Sequence, residues 1–327
     1  MHILLITPAE PGSKAGNRAT AERWQGLLAQ CGHTVSVITT YHGEPCDLLI
    51  ALHAWRSHDA VQRFRASWPD HPLIVALTGT DIYRHQREYP EQTRYSMLEA
   101  DALIGLHHQV AADIPEEFGD KLITLYQSAP QPRPTGRQHD TAGSFDVCVV
   151  GHLRDEKDSL RAACAARLLP EDSRIRVLCA GKAHNEYWQN LAVREMQRNP
   201  RFRWLGELEK QDTEALLSAS RLMVISSVME GGANVVSEAC RAGLPIIASA
   251  IPGNIGLLGD DYPGYYPAKD EQALAGLLFR AETDPGFLQA LTRHVSALSD
   301  RFTPEQELQA LERALALAGQ RCALRAG

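Results

Sequence analysis

The feature that most constrains this chain is an alternation, repeated in each half, of short apolar runs and longer amphipathic stretches. The apolar runs are bounded by turn residues, and the stretches between them carry apolar residues at helical period. This pattern is typical of parallel strands that are buried on both faces and connected by helices. The sequence therefore predicts an α/β chain with two parallel sheets.

Six apolar runs in the first half are predicted to form one sheet, and they cover residues 2–7, 34–39, 48–53, 73–78, 102–105 and 121–125. A helix is predicted over 17–31, and Gly32 is expected just past its end, where glycine often takes a positive φ. The segment over 128–144 is rich in proline, glycine and polar residues and has no apolar period. We predict that it links two domains.

The second half repeats the pattern, with strands predicted at 145–151, 174–180, 202–205, 221–226 and 245–249. Helices are predicted at 213–220, 233–242, 270–281 and 304–318. Thr303 is a suitable N-cap for the last helix, because Pro304 fits its first turn. We predict an N-terminal domain over 1–142, a C-terminal domain over 143–302, and a final helix within 303–327 that crosses back to the N-terminal domain.

Length and charge narrow the class of partner. A chain of 327 residues suits two domains of ordinary size. The net charge is -7 with both signs mixed along the chain, so no basic stripe is available for a nucleic acid or an anionic membrane. We expect small-molecule substrates and no stable membrane association, and the sequence leaves a homodimer open.

Compartment and cofactor chemistry are constrained by what the sequence lacks. It has no basic leader and no apolar stretch long enough to span a membrane, so a cytoplasmic location is expected. The seven cysteines occur singly, without CxxC spacing, which favours reduced, buried thiols. There is no D-x-D motif and no pair of ligand-spaced histidines, so no metal or other cofactor is predicted.

The segment over 226–249 carries the strongest chemical signal. It is predicted as a strand, a glycine-containing loop, a helix and a strand, with Glu230 in the loop and Glu238 in the second helical turn. Both glutamates are expected to reach into one cleft at the carboxyl end of the sheet. Gly231 and Gly232 would let the backbone approach a ligand closely. The free amides at the helix start would face that ligand, and they belong to Ala233, Asn234 and Val235.

This combination of groups favours a nucleotide sugar as the ligand. Helix-start amides bind the oxygens of a diphosphate, and an ionised carboxylate accepts hydrogen bonds from vicinal hydroxyl groups. Taken singly, Glu230 is typical of a solvated loop and Glu238 of an ordinary helix. The double glycine and the strands on either side favour the binding site.

The same segment resembles the E-x7-E region of the retaining GT-B glycosyltransferases of family 4, and its run GLPIIAS is similar to their GxPVVAS strand. The stretch GHLRDEKD, at 151–158, resembles their phosphate motif G-R-L-x-x-x-K-G, in which Gly151 would contact the donor. Lys157 matches the lysine that neutralises the leaving diphosphate. His152 replaces the usual arginine and Asp158 the usual glycine, and Arg154 could supply the missing charge.

The resemblance implies a GT-B fold, in which two Rossmann-like domains face each other across a cleft. The replacement at His152 leaves open a protein that binds nucleotide sugars without turning them over. The first strand runs into the loop PAEPGSKAGNRATAERW, which lacks both the G-x-G-x-x-G fingerprint and the acid that binds a dinucleotide ribose. A nicotinamide-dependent dehydrogenase is therefore disfavoured. In GT-B enzymes this loop closes over donor and acceptor, and its candidate acceptor ligands here are Ser13, Lys14, Asn17, Arg18 and Thr20.

Two further predicted strands end in polar residues at the same sheet edge, which indicates a functional crevice. The strand over 48–53 delivers His53, Trp55, Arg56 and Ser57, and the strand over 73–78 delivers Thr78, Gly79, Thr80 and Asp81. Four of these residues are further candidate acceptor ligands: Arg56, Ser57, Thr78 and Thr80. Alone, His53 would be a packing histidine, and Lys14 and Arg18 are equally consistent with surface charge. His107 and His108 are weaker candidates.

Five stretches resemble the selenosugar synthases, the glycosyltransferases of selenoneine biosynthesis: PGSKAGNRATAERW, LHAWRS, TGTD, EGGANVVSEA and IPGNIGLLG. The resemblance implies that selenophosphate attacks the anomeric carbon of a UDP-sugar, with UDP-N-acetylglucosamine expected, and that UDP and phosphate are released. For this reaction we expect catalytic roles for Lys157 and Glu230, and we expect a water oriented by His53 or Asp81 to take part in the loss of phosphate. A selenolate is already anionic near neutral pH and needs no base, whereas a hydroxyl acceptor must lose a proton to attack. A conventional family 4 enzyme with a hydroxyl acceptor remains the alternative function.

Overall fold

The computed structural model describes residues 1–131 and 143–326. Their contacts divide the chain into two compact units. The first comprises Met1–Ser128, Glu230–Ala233 and Thr303–Gly327, and the second comprises Ala129–Met229 and Asn234–Phe302. The predicted boundary at residue 142 and most of the predicted linker lie outside the described residues.

The first unit contains a parallel sheet of six strands in the order β2-β1-β3-β4-β5-β6. Each predicted run in the first half contains one of them: β1 His2–Ile6, β2 Thr34–Ile38, β3 Leu48–Leu52, β4 Leu73–Leu77, β5 Ala102–Gly105 and β6 Leu122–Thr124. The residues of β3, β4 and β5 are all buried, as expected for strands covered on both faces.

Helices cover both faces of this sheet: α1 Gly16–Gln30, α2 His58–Ser67, α3 Gln86–Glu88, α4 Pro90–Glu99, α5 Val110–Asp113, and a further helix from the end of the chain. One face packs on Trp24 of α1, and the other packs on Phe64 of α2. A π-helix spans Asp81–His85 and a 3-10 helix spans Glu116–Lys121. Gly32 follows α1 at φ 79°, as predicted for its C-terminus.

The second unit contains another parallel six-stranded sheet, in the order β12-β11-β10-β7-β8-β9. Its strands are β7 Phe145–Val150, β8 Ile175–Ala180, β9 Phe202–Trp204, β10 Leu222–Ile225, β11 Ile246–Ser249 and β12 Tyr265–Tyr266. The first five were predicted, with the ends trimmed by one or more residues. The edge strand β12 was missed because two residues carry no periodic signal.

The helices of the second unit are α6 Arg161–Ala166, α7 Glu186–Arg198, α8 Lys210–Ala219, α9 Asn234–Ala242, α10 Pro252–Leu258, α11 Glu271–Thr283 and α12 Pro285–Ala297. The helix α12 was not predicted. Its start is nevertheless encoded locally, since Asp284 caps it by accepting a hydrogen bond from the amide of Phe287 at 3.1 Å.

The last helix, α13 Pro304–Ala326, packs on the first unit, which confirms the predicted crossing. Its buried Glu307 accepts hydrogen bonds from Arg23 (2.8 Å), Trp24 (2.7 Å) and the amide of Ser128 (2.9 Å). The predicted end at 318 was wrong. The helix continues because its last turns find partners, among them an ion pair between Arg325 and the buried Asp101.

The seven cysteines are free thiols, as predicted. Five are buried, and burial raises the pKa of Cys148, Cys179 and Cys240 to about 12. Cys31 is exposed and Cys164 half-buried, so the prediction of burial fails for those two. Within the described ranges, none of the helices is both long and apolar enough to cross a membrane.

Candidate functional site

Each sheet has one point at which the order of its strands reverses. In the first unit this point lies between β1 and β3, and in the second unit it lies between β7 and β10. Open parallel sheets bind their ligands outside the carboxyl ends of the strands at such points. The residues that follow β1, β3, β7 and β10 are therefore the candidates for ligand contact.

In the second unit a small recess lies at the carboxyl ends of β7 and β10. Gly151 follows β7 at φ 152° and forms part of its wall. Gly181 packs directly on it, because a Cβ at Gly181 would lie 1.9 Å from the Gly151 carbonyl oxygen. The recess is lined by Val149, Val150, Gly151, Lys157, Ser159, Val224, Ile225, Ser226 and Ser227.

The turn that carries Lys157 is held by the end of β10. The Ser226 hydroxyl lies within hydrogen-bond distance of the carbonyl groups of Lys157 (3.2 Å) and Asp158 (2.9 Å). Asp158 adopts the left-handed conformation at φ 44° and accepts a hydrogen bond from Arg161 at 2.8 Å. Glycine takes this conformation without strain, and aspartate tolerates it better than most residues. The turn therefore explains how an aspartate can stand where family 4 enzymes have glycine.

The double glycine makes close contacts within the first unit. A Cβ at Gly231 would lie 2.3 Å from the Thr78 carbonyl oxygen, and one at Gly79 would lie 2.4 Å from the Gly231 nitrogen. Gly232 packs in the same way on Leu106. Glycine is thus required here by neighbouring backbone and side chains, whereas the sequence had suggested a ligand. The approach of a ligand to this loop stays a prediction.

The two glutamates of the predicted donor site fall in different units. Glu230 is buried and is grouped with the first unit, while Glu238 is half-buried in the second turn of α9, in the second unit. The helix α9 begins at Asn234, so Ala233 precedes it. A ligand shared by Glu230, Glu238 and the start of α9 remains a prediction, and so does the role of Arg154.

In the first unit, Asp81 connects the loops that follow β3 and β4. Its carboxylate accepts hydrogen bonds from the amides of Thr78 (2.9 Å), Gly79 (2.7 Å), Ile82 (3.2 Å) and, across the loops, Ala54 (3.0 Å). The side chain is fully buried. This geometry does not support the predicted role of Asp81 in orienting a water, because its oxygens are already used and enclosed. The Asp81 carboxylate instead stabilises the loops that follow β3 and β4.

His53 is buried between these loops at φ 77°, a conformation rare for histidine. The Arg56 amide donates to its Nδ1 at 3.2 Å, so Nδ1 carries no hydrogen. Nε2 therefore carries the ring proton and donates a hydrogen bond to the Thr80 hydroxyl oxygen at 2.8 Å. Burial lowers the pKa of His53, against the opposing effect of the Asp81 carboxylate. The ring is neutral, and both of its nitrogens are occupied.

An aromatic cluster that the sequence analysis did not predict lies beside His53. The Trp55 ring stacks on His85 at 4.2 Å and on Tyr89 at 4.4 Å between centroids. His85 ends the π-helix Asp81–His85, a rare element that often marks functional sites. Burial and then the charge of Arg56 lower the pKa of His85. The one signal for this cluster in the sequence is Trp55, which lies shortly after β3.

Two predicted acceptor ligands, Ser57 and Thr20, form hydrogen bonds within the first unit. The buried Ser57 donates its hydroxyl to the Leu52 carbonyl at 2.7 Å. The hydroxyl of the buried Thr20 lies 2.5 Å from the Gln127 amide, whose nitrogen donates to the Gly232 carbonyl at 2.7 Å. The geometry does not support an acceptor contact for either residue, because each hydroxyl already has protein partners.

The other predicted loop residues are more accessible. Ser13 and Lys14 are exposed, Asn17 is half-buried, and Arg18 forms an ion pair with Glu22 at 2.6 Å. One terminal nitrogen of Arg18, Nη1, is buried and has no hydrogen-bond partner within the described part of the chain. These four residues remain candidates for binding the acceptor.

The two weaker histidine candidates differ in environment. His107 is fully buried, and its Nε2 lies 3.1 Å from the Tyr83 hydroxyl, which donates to Asp113 at 2.7 Å. Burial lowers the pKa of His107 to about 4. His108 is exposed, 3.3 Å from the Tyr126 hydroxyl. His107 is therefore a packing residue.

Known proteins resemble this chain in sequence and in fold. Residues 137–295 match the family model of the glycosyl transferases group 1. The glycogen synthase of Mycobacterium tuberculosis is 25% identical over 287 residues, which cover 82% of this chain and 67% of that protein.

Two solved structures superpose over almost the full length. The Anabaena protein HepE in complex with UDP and glucose gives a TM-score of 0.76 at 16% identity, covering 97% of this chain and 99% of the other. The sucrose-phosphate synthase of Thermosynechococcus elongatus gives 0.80 at 17% identity, covering 96% and 98%. Together with the two parallel six-stranded sheets, these similarities confirm the predicted GT-B fold.

Proposed function

We propose that this chain, a glycosyltransferase of the GT-B fold with a group 1 domain in its second unit, transfers a sugar from a UDP-sugar to selenophosphate. The selenium atom attacks the anomeric carbon, and the bond from that carbon to the UDP oxygen breaks. Water then cleaves the phosphorus–selenium bond, which releases phosphate and leaves the selenosugar. UDP-N-acetylglucosamine is the expected donor.

The donor half of this proposal rests on the recess at the carboxyl ends of β7 and β10. Lys157 lines it together with Gly151, on a turn held by Ser226. A lysine there would neutralise the diphosphate as charge develops on it, which lowers the barrier more than it tightens ground-state binding. The Anabaena structure with UDP and glucose, which shares the fold over nearly the whole chain, supports a UDP-sugar.

The acceptor half of this proposal rests on the hydrogen bonding of His53 and Asp81. His53 follows β3 directly and Asp81 lies four residues after β4, yet both nitrogens of His53 and the carboxylate of Asp81 already have partners. Neither is available to remove a proton from a hydroxyl acceptor. Arg56 is exposed beside them and would bind the oxygens of a phosphate group. An acceptor that arrives as an anion fits these loops better than a neutral alcohol.

The direct test is incubation of the purified protein with UDP-N-acetylglucosamine and enzymatically made selenophosphate. We expect release of UDP and phosphate together with a selenium-bearing sugar detected by mass spectrometry. Inorganic phosphate in place of selenophosphate is the matched control and should give no selenium product. UDP release that does not depend on selenophosphate would overturn the proposal.

A transferase with a hydroxyl acceptor is the second candidate. The similarity to a glycogen synthase over 82% of this chain favours it. The same assay separates the two, because a panel of sugar alcohols and glycans would then stimulate UDP release when selenophosphate does not.

A further inference from the structure

The loops after β3 and β4 hold an unusual concentration of rare backbone conformations. His53 lies at φ 77° and Gly79 at φ 114°, and a π-helix begins at Asp81. The positive φ of His53 and the π-helix cost free energy and persist where the surroundings enforce them, whereas Gly79 takes its positive φ without strain. The enforcing group is the buried Asp81 carboxylate, which fixes both loops through their amides. Such strain is typical of sites whose geometry matters for function.

Thr80 is the half-buried member of this arrangement. Its hydroxyl oxygen accepts a hydrogen bond from His53 Nε2 at 2.8 Å. A hydroxyl that accepts from a neighbour keeps its own hydrogen free to donate. In the described part of the chain, no second hydrogen-bond partner is found for this hydroxyl. The hydrogen is thus directed away from His53, whose tautomer is in turn set by the Arg56 amide.

We propose that Thr80 is the hydroxyl donor that binds the oxyanion of the acceptor, and that His53 is its positioning residue and not a base. Arg56 supplies the charge, and Thr80 supplies a directed neutral donor. The ligand class is a small phosphate-type oxyanion. This inference rests on the proposed function in assuming an anionic acceptor, but its central claims concern groups that can be observed without turnover.

The tautomer is the first test, and it does not require activity. Nitrogen-15 chemical shifts of the histidine rings, with His53 assigned from its absence in a His53→Gln variant, report which nitrogen is protonated. We expect the Nε2–H form, neutral at pH values where exposed histidines are already charged, because burial lowers the pKa of His53. Of the charged or titratable groups that face the ring, Asp81 opposes this effect, whereas Arg56 and His85 add to it. An Nδ1–H ring would overturn the inference.

The second test measures binding of inorganic phosphate by calorimetry. Thr80→Val, which keeps the shape and removes the hydroxyl, should weaken binding about tenfold to a hundredfold, since a hydrogen bond to a charged group is lost. Thr80→Ser should stay within about threefold of the wild type. Unchanged affinity in Thr80→Val would contradict the proposal, and an unaltered melting temperature shows that each variant is folded.

A double variant of His53 and Thr80 distinguishes a positioning role of His53 from a role in the stability of the fold. His53→Leu should weaken phosphate binding as Thr80→Val does, and the double variant should be no weaker than either single one. His53→Gln, which keeps a donor near Nε2, should recover part of the affinity. Additive losses would contradict the relay. Intact phosphate binding without selenophosphate turnover would reject the proposed function and leave this inference standing.

Discussion

At the scale of single residues, Asp81 shows how a predicted catalytic group can be structural. Its carboxylate accepts hydrogen bonds from amides in two loops and has no exposed surface. A carboxylate in such a position organises its surroundings, because each amide it satisfies would otherwise be buried without a partner. The loops that carry Arg56 and Thr80 therefore depend on it.

Replacing Asp81 tests this dependence. Asp81→Asn places an amide nitrogen among backbone donors and removes the charge that attracts them, so we expect the free energy of unfolding to fall by about 2–4 kcal/mol. Urea denaturation measures the change. Asp261→Asn, at an exposed position, is the control and should stay within about 0.5 kcal/mol. Equal stability of the two variants would contradict the assignment.

His107 provides a prediction about pH. Its pKa is about 4 in the folded protein, below the ordinary value of 6.5, so the unfolded chain binds a proton first as the pH falls. The contribution of His107 to the free energy of unfolding is complete above pH 6.5 and is lost as the pH falls through about 4. The free energy of unfolding changes by about 3 kcal/mol over this range. Urea titrations across this range should show a steeper loss in the wild type than in His107→Gln. Parallel pH profiles would show that burial does not depress this pKa.

The sequence located candidate residues better than it assigned their roles. Positions that follow buried strands, such as His53 and Thr80, could be predicted because the carboxyl ends of parallel strands share one sheet edge. Their partners could not, since the bond from Thr20 to Gln127 joins residues 107 positions apart. Hydrogen bonds of that kind decide whether a hydroxyl binds a ligand or a neighbour.

At the scale of elements, the strands were predictable and the ends of the helices less so. Buried parallel strands are short, uninterrupted apolar runs, and β3 and β4 stand out for that reason. The helix α13 was predicted to end near 318, but Cys322 and Arg325 find partners on the first unit and extend it. Tertiary contacts of this kind override local propensity.

The docking of α13 depends on Glu307, which is fully buried and faces Arg23 and Trp24. Glu307→Gln keeps the shape but removes the charge that pairs with Arg23, so we expect a loss of about 3 kcal/mol in the free energy of unfolding. Hydrogen exchange should also become faster throughout α13. Glu305→Gln, at an exposed position of the same helix, should leave both unchanged. Equal exchange rates in the two variants would mean that α13 docks by apolar packing alone.

At the scale of the whole molecule, the two units carry different parts of the proposed chemistry. The recess with Lys157 belongs to the second unit, where the match to the group 1 glycosyl transferases lies. The loops with Arg56 and Thr80 belong to the first unit. If donor and acceptor bind to different units, substitutions in each should change different kinetic constants.

Three substitutions test this division. Arg56→Ala should raise the KM for selenophosphate about tenfold and leave the KM for the UDP-sugar within about twofold, because it removes a phosphate contact. Glu238→Ala should raise the KM for the UDP-sugar, and Lys157→Ala should lower kcat about a hundredfold, since the charge it stabilises grows in the transition state. Arg87→Ala and Lys182→Ala, both at exposed positions, are the matched controls. A rise in the donor KM in Arg56→Ala, or unchanged kinetics in Lys157→Ala, would reject the assignment of acceptor to the first unit and donor to the second.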